Sequence, residues 1–346
     1  MKTSKILALI SLLISTIIIT NPSVLSEESS KTIYVDDDGD KDYATITEAV
    51  LNASDGDTIY VYSGIYYGSF NINKSISLTG ADKEKTIITG ENEEKIVISD
   101  TTQDSSALIN IIADNVEISG FTIRNSTRIV LLPSEHLEAE DVEASLAVFN
   151  VGIGIMISSD NNTISGNIIK DNGADGIVFN FGQNTIISDN EIINNPQRGI
   201  FLQNCSNNLI INNEIANSLW GVIFLNNSYE NVFYHNNFIN NSLYHTSDNG
   251  KNIFYSTELK QGNYWDDYDG TDKNNDAICD MPYNITGGNN KDSYPLMSPY
   301  MGRLVIEEYY VDEGSVIFML IVGMVITIIF SIPVAYIWYR KTRPPE

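Results

Sequence analysis

The chain has 346 residues, 20 Lys and Arg against 45 Asp and Glu, and a formal charge of -25 at pH 7. That balance excludes a nucleic-acid partner, because neutralising phosphates takes clustered basic side chains. Hydrophobic residues make up 42% of the chain, too many for a disordered acidic tail, and the most apolar stretches lie at its two ends.

In chain order, Lys2 and Lys5 precede an uncharged, mainly apolar stretch from Ile6 to Ile19 and a small-residue exit at Val24, Leu25 and Ser26. This is the build of a secretory signal peptide over residues 1–26. Residues 27–80 read as an N-terminal cap with the first coils of a repeat. They hold a strand at Thr32–Val35, an acidic turn at Asp36–Asp40, and a capping box at Thr45–Glu48 that opens a short amphipathic helix to Ala53. The turn Asp55-Gly56-Asp57 then leads into a strand at Thr58–Tyr62.

Residues 81–258 are repetitive. Written in lines of 23, Asn161 to Asn241 align Ile164, Ile187, Ile210 and Phe233 in one column and Ile169, Ile192, Ile215 and Phe238 in another. Asn167, Asn190, Asn213 and Asn236 run between them, and a further column holds Asn172, Asn195, Ser218 and Asn241. Apolar residues alternate over short runs such as Ile177, Phe179 and Phe181, broken by Asn or Gly. Helical repeats need longer runs at a period of 3.6 and about 34 residues per unit. Asn tolerates the left-handed backbone of a tight corner. Coils stacked at about 4.8 Å let identical Asn side chains hydrogen-bond as a ladder while the Ile columns bury one another. The reading is an all-β parallel β-helix (solenoid) of about 23 residues per coil, with a short N-terminal capping helix. Residues 127–150 interrupt the repeat with an acidic segment expected to loop out from the stack wall.

Residues 259–301 form an Asp-rich closing block and 302–315 a linker. Residues 316–339 are 24 uncharged residues, about 36 Å as a helix, which reads as a C-terminal transmembrane helix. Arg340, Lys341 and Arg343 follow it, so the tail 340–346 is expected in the cytoplasm and the ectodomain outside. Residues 27–315 hold 15 basic and 44 acidic residues, a net -29, so the acidity belongs to the extracytoplasmic part.

Three segments carry a resemblance: Tyr34-Val35-Asp36-Asp37-Asp38-Gly39, Asp55-Gly56-Asp57-Thr58-Ile59, and a strand at Asn73-Lys74-Ser75-Ile76-Ser77-Leu78. Together they resemble the entry of right-handed β-helix proteins of the pectin-lyase-like superfamily. The coils resemble the repeats of the periplasmic copper-binding NosD-type family. Gly262-Asn263-Tyr264-Trp265-Asp266-Asp267-Tyr268, with Asp272–Asp280, Pro282-Tyr283 and Tyr294-Pro295-Leu296, is similar to the closing block of NosD-type repeats in archaeal surface proteins. The resemblance covers about residues 32–297 and implies a right-handed coil outside the cytoplasm, more firmly than any activity.

Asp272, Asn274, Asp276 and Asp280 sit at alternate positions of a loop, a spacing that can aim several oxygens at calcium, with Asp266, Asp267 and Asp269 available to complete the shell. The alternative is a solvated acidic turn. Copper needs clustered His, Cys or Met, and His136, His235, His245 and two Cys are spread too widely for it; His235 reads as a surface residue. Asp171, Asp175, Asp189 and Arg198 are the candidates for polysaccharide lyase or glycoside hydrolase chemistry, each also readable as an ordinary turn or sheet residue. Trp220, Tyr264 and Trp265 would stack on sugar rings or fill the closing-block core. Sequons place candidate glycosylation at Asn52, Asn73, Asn125, Asn161, Asn204, Asn226, Asn240 and Asn284. A Cys205 to Cys279 disulfide stays open. The leading expectation is a membrane-anchored surface module for carbohydrate recognition, adhesion or envelope structure, with a polysaccharide or envelope glycan as partner. An enzyme on the β-helix face comes second, and a NosD-like copper-maturation role third.

Overall fold

The computed structural model describes residues 30–91, 95–98, 107–133, 146–225 and 228–301. The expected signal peptide, membrane span and tail lie outside them, as do His136 and Asn226. Among the described residues no helix is long and apolar enough to cross a membrane.

Strands in the coils are two to six residues long, too short to make a sheet except by lying on the previous turn of the same chain. Left-handed residues end them. Asn115, Asn161, Asn184 and Asn207 have φ of 55–58° at one corner, Asp189, Asn212 and His235 have 56–59° at the next, and Asn125, Asp171, Asn194, Asn217 and Asn240 have 51–57° at the third. The result is a right-handed parallel β-helix with three parallel faces. The first face runs through nine strands from Thr32–Val35 to Lys251–Ile253, the second through eight from Gly64–Tyr67 to Tyr264–Trp265, and the third through seven from Phe70–Ile72 to Tyr244–Ser247. Ile164 pairs with Ile187 and Ile187 with Ile210, so the sequence period is the coil.

The aliphatic columns point inward. Ile164, Ile187, Ile210 and Phe233, Ile169, Ile192, Ile215 and Phe238, and Ile177, Ile200 and Val222 are all 0% exposed, each contributing roughly 1.5–3 kcal/mol. A Cβ at Gly176, Gly199 or Gly221 would fall 2.4–2.7 Å from a carbonyl oxygen of the next coil, so close coil stacking requires glycine in that column.

The helix spans Ile46–Asn52, with Thr45 Oγ1 accepting from Glu48 N at 3.2 Å and donating to Glu48 Oε2 at 2.9 Å. Lys74 Nζ closes its other end by donating to the carbonyls of Val50 and Leu51. That contact, with Ser75 N donating to Asp55 Oδ1 at 2.8 Å, delays the strand expected at Asn73–Leu78 until Ser77. The two ends of the 127–150 interruption form a hairpin outside the three faces. Arg128–Pro133 pairs antiparallel with Leu146–Asn150 and parallel with Lys95–Ile98, making a separate three-stranded sheet.

Cys205 and Cys279 are both free and buried. Cys205 Sγ donates to the carbonyls of Phe179 and Gln203, while Cys279 Sγ lies 3.3 Å from Met297 Sδ, so no disulfide joins them.

Candidate functional site

Rows of buried amides run along the corners of the stack. Asn190, Asn213, Asn236 and Asn263 each accept on Oδ1 the backbone N–H of the Asn one coil earlier, and also its side-chain N–H at 2.9–3.2 Å. A second row links Asn162, Thr185, Asn208, Asn231 and Asn252. A third links Asn172 to Asn195 and Ser218 to Asn241. The amide Nδ2 groups donate back to a carbonyl of the preceding coil and, where the next coil supplies an Asn, on to its Oδ1, as Asn190 does to Ile164 and Asn213, so each row finishes with N–H donors lacking a further Asn.

Side chains of the closing segments take those donors. Asp248 Oδ1 accepts from Asn252 at 2.9 Å. Asp292 Oδ2 accepts from Asn263 N at 2.7 Å and from the Trp265 indole at 3.0 Å. At the third row, Asn241 Nδ2 lies 3.2 Å from His245 Nδ1, and His245 Nε2 lies 2.8 Å from Asp266 Oδ1 and 3.3 Å from Asp267 Oδ1.

The backbone fixes the tautomer of His245. Asn241 Nδ2 also donates to the Ile215 carbonyl at 2.8 Å, and its Oδ1 accepts from Ser218 N at 3.2 Å, so its amide cannot be turned over. His245 Nδ1 is therefore an acceptor, and the ring proton sits on Nε2, aimed at the two carboxylates.

These carboxylates line an open cavity of about 420 Å³ with Asn240, Ser242, Tyr244 and Tyr283 on its wall. Asp266 Oδ2 accepts from Asn240 N at 2.7 Å, and Asp267 Oδ2 accepts from the Tyr283 hydroxyl at 3.3 Å. Burial, with Asp267 beside it, pushes the Tyr283 phenol well above its ordinary value. The Tyr283 ring stacks on Trp265 at 4.2 Å, and Trp265 on Phe238 at 4.3 Å, so this wall continues the core.

The cavity adjoins a row on the third face, where Asp175, Arg198, Trp220 and Tyr244 pair coil to coil. Arg198 donates from Nε to Asp175 Oδ1 at 2.8 Å and from Nη2 to Oδ2 at 2.6 Å, and its guanidinium sits 4.0 Å from the centre of the Phe201 ring. Trp220 is half-buried and Tyr244 is 43% exposed. Four coils place these side chains over about 14 Å.

Of the four catalytic candidates the structure thus brings together Asp175 and Arg198. Asp171 and Asp189 are left-handed residues at two other corners, and Asp189 Oδ1 accepts from Asn212 Nδ2 at 3.2 Å. In the acidic loop, Asp272 accepts from the backbone of Asp276 and Ala277, Asp276 from Ile278 N and the Asn274 amide, and Asp280 from Lys273 N. Among the described residues, His245, Asp266 and Asp267 are the one group of three or more such side chains with ligand atoms within 4.8 Å of each other. Sequence reasoning had Asp266 and Asp267 only as companions of that loop and saw no role for His245. The available signal was its place four residues after Asn241, where the third Asn row ends.

His235 is 5% exposed and not a surface residue. Its ring stacks on Tyr300 at 3.7 Å, and its Nε2 meets Gln261 Oε1 at 2.7 Å. Trp265 fills the closing-block core, while Trp220 belongs to the outer row. Of the sequons, Asn52, Asn73, Asn161, Asn240 and Asn284 are exposed, and Asn125 and Asn204 are half-buried at corners.

Residues 50–270 match the family described as periplasmic copper-binding protein (NosD). The chain belongs to the NosD family. No curated protein matches it. Among solved structures, it is similar to the pectin methylesterase PemA from Erwinia chrysanthemi at 14% identity, covering 62% of this chain and 66% of that one, with a TM-score of 0.42. ORF18 of Geobacillus virus E2 follows at 15% identity, 67% and 47% coverage and 0.43. The family 28 exopolygalacturonase of Yersinia enterocolitica stands at 12%, 68% and 59%, and 0.40. This NosD-family chain thus spans just under two thirds of PemA's length. A copper site needs several His, Cys or Met donors converging. The described residues offer the Cys279–Met297 pair, and at His245 a nitrogen that already carries its proton, so they do not fit copper.

Proposed function

We infer that this NosD-family protein is an extracytoplasmic β-helix module whose third face binds an extended glycan without cleaving it. The observation that supports the reading is the row Asp175, Arg198, Trp220 and Tyr244, flanked by Phe201. It presents aromatic rings and a held guanidinium along a line, as a polymer of sugar rings requires. Both oxygens of Asp175 are engaged by Arg198, so that carboxylate is not free to act as acid or nucleophile. A cleaved leader and a single C-terminal span would hold the module at the cell surface. Calcium at the Asp272–Asp280 loop and glycans at the exposed sequons belong to the same proposal.

The test is to run the purified protein through gels containing neutral or acidic polysaccharides and to follow chain cleavage in parallel. The expected outcome is retardation by a neutral polymer, weakened about tenfold in Trp220→Ala. Turnover that disappears in Asp175→Asn or Arg198→Gln would replace this reading with a lyase or hydrolase.

A further inference from the structure

We propose that the cavity at the C-terminal end of the third face is a site for an amine-bearing sugar unit, with Asp267 as the anion that recognises its ammonium group and Tyr244 as the ring it packs on. The proposal deepens the glycan reading, because Tyr244 is the last member of the outer row.

Three observations carry it. First, the two carboxylates are not equivalent. Asp266 is committed on both oxygens, to His245 Nε2–H at 2.8 Å and to Asn240 N at 2.7 Å. Asp267 has only the longer 3.3 Å contacts to His245 and to the Tyr283 hydroxyl, and its side chain is 56% exposed. It keeps lone pairs facing the cavity. Second, no Lys or Arg lines this cavity. Among the residues that line it the one cationic candidate is His245, whose Nδ1 is an acceptor for Asn241, against the two carboxylates of Asp266 and Asp267. The cavity is thus net negative on a part of the chain already at -29, and it attracts cations and repels uronates. Third, the wall is shaped for a ring. Tyr283 is fixed by stacking on Trp265, and Tyr244, 43% exposed, lines the same cavity. Together these suit a ring that lays one face on Tyr244 and sets an ammonium group against Asp267.

A metal ion at His245, Asp266 and Asp267 is the competing occupant. Binding through Nε2 would force the proton onto Nδ1, against the Asn241 N–H that the backbone of Ile215 and Ser218 holds there. An ammonium group needs no such change.

The experiment is a calorimetric titration of the purified protein with a glucosamine trimer and with its fully N-acetylated counterpart, at mildly acidic pH where the amine is charged. The amine form is expected to bind at least about tenfold more tightly. Asp267→Asn, a substitution at an exposed side chain, should abolish that preference so that the two trimers bind alike, while Tyr244→Ala should weaken both. Equal affinities, no binding of either trimer, or a preference that survives in Asp267→Asn would each overturn the proposal. So would calcium binding at one equivalent that is lost in Asp267→Asn, which would assign the cluster to a metal. A protein retarded by neutral polysaccharide through Trp220 but blind to the amine keeps the glycan reading and loses this one. Amine preference with no effect of Trp220→Ala does the reverse.

Discussion

Asp292 is fully buried in the closing block, where it accepts N–H groups from Asn263, Tyr294 and Trp265. Those bonds favour the carboxylate, yet burial outweighs them and pushes its pKa up to about 6. A carboxyl with a folded value above its unfolded one contributes stability that is fully present below the unfolded value, near 4, and is lost as pH rises through about 6. The difference of about two units corresponds to roughly 3 kcal/mol. Urea midpoints of the wild type should therefore fall between those two pH values by more than those of Asp292→Asn, and parallel profiles would show that Asp292 does not titrate there. The Gly262 of the closing motif has its reason here. A Cβ at that position would lie 1.9 Å from Asp292 Oδ1, a contact that the sequence motif marks without explaining.

At the scale of elements, the Asn rows run from coil to coil until the stack ends, and there Asp248, Asp292 and His245 of the closing segments take the place of the next Asn. Asn213 shows what one member contributes. It accepts from Asn190 N at 3.0 Å and donates to the Ile187 carbonyl at 2.8 Å, to the Ile211 carbonyl at 3.0 Å and to Asn236 Oδ1 at 3.0 Å, and is itself 0% exposed. Asn213→Ala orphans several of these groups at once and should cost about 2–4 kcal/mol in chemical denaturation. Asn212→Gly, at the adjacent left-handed corner, should change little. Two rows were legible in the sequence because their members recur every 23 residues. The third was not. It substitutes Thr185 for Asn and closes through Asn252, 21 residues after Asn231, so its period breaks where the stack ends. The hairpin of Arg128–Pro133 and Leu146–Asn150 was illegible for a related reason. Its partner, Lys95–Ile98, pairs with it in a sheet apart from the three faces, where no aligned column marks it.

For the molecule as a whole, a net -29 on residues 27–315 repels itself. Sodium chloride is expected to raise the melting temperature by screening, and calcium at matched ionic strength to raise it further if the Asp272–Asp280 loop holds an ion. Melting curves that coincide for the two salts would leave that loop to the internal hydrogen bonds of Asp272 and Asp276. The sequence by itself determined the coil, its period, the capping helix at Thr45 and most of the core. Burial between stacked turns selects the same residue types at every turn, and repetition makes such selection visible. Only the tertiary structure decided what the outside of the coil does. Positions outside the core columns carry no recurring constraint, so Asp175, Arg198, Trp220 and Tyr244 share no residue type although they share a row. The cavity joins His245 to Asp266 and Asp267 through a closing segment with no repeat, and only the end of an Asn row brings them together.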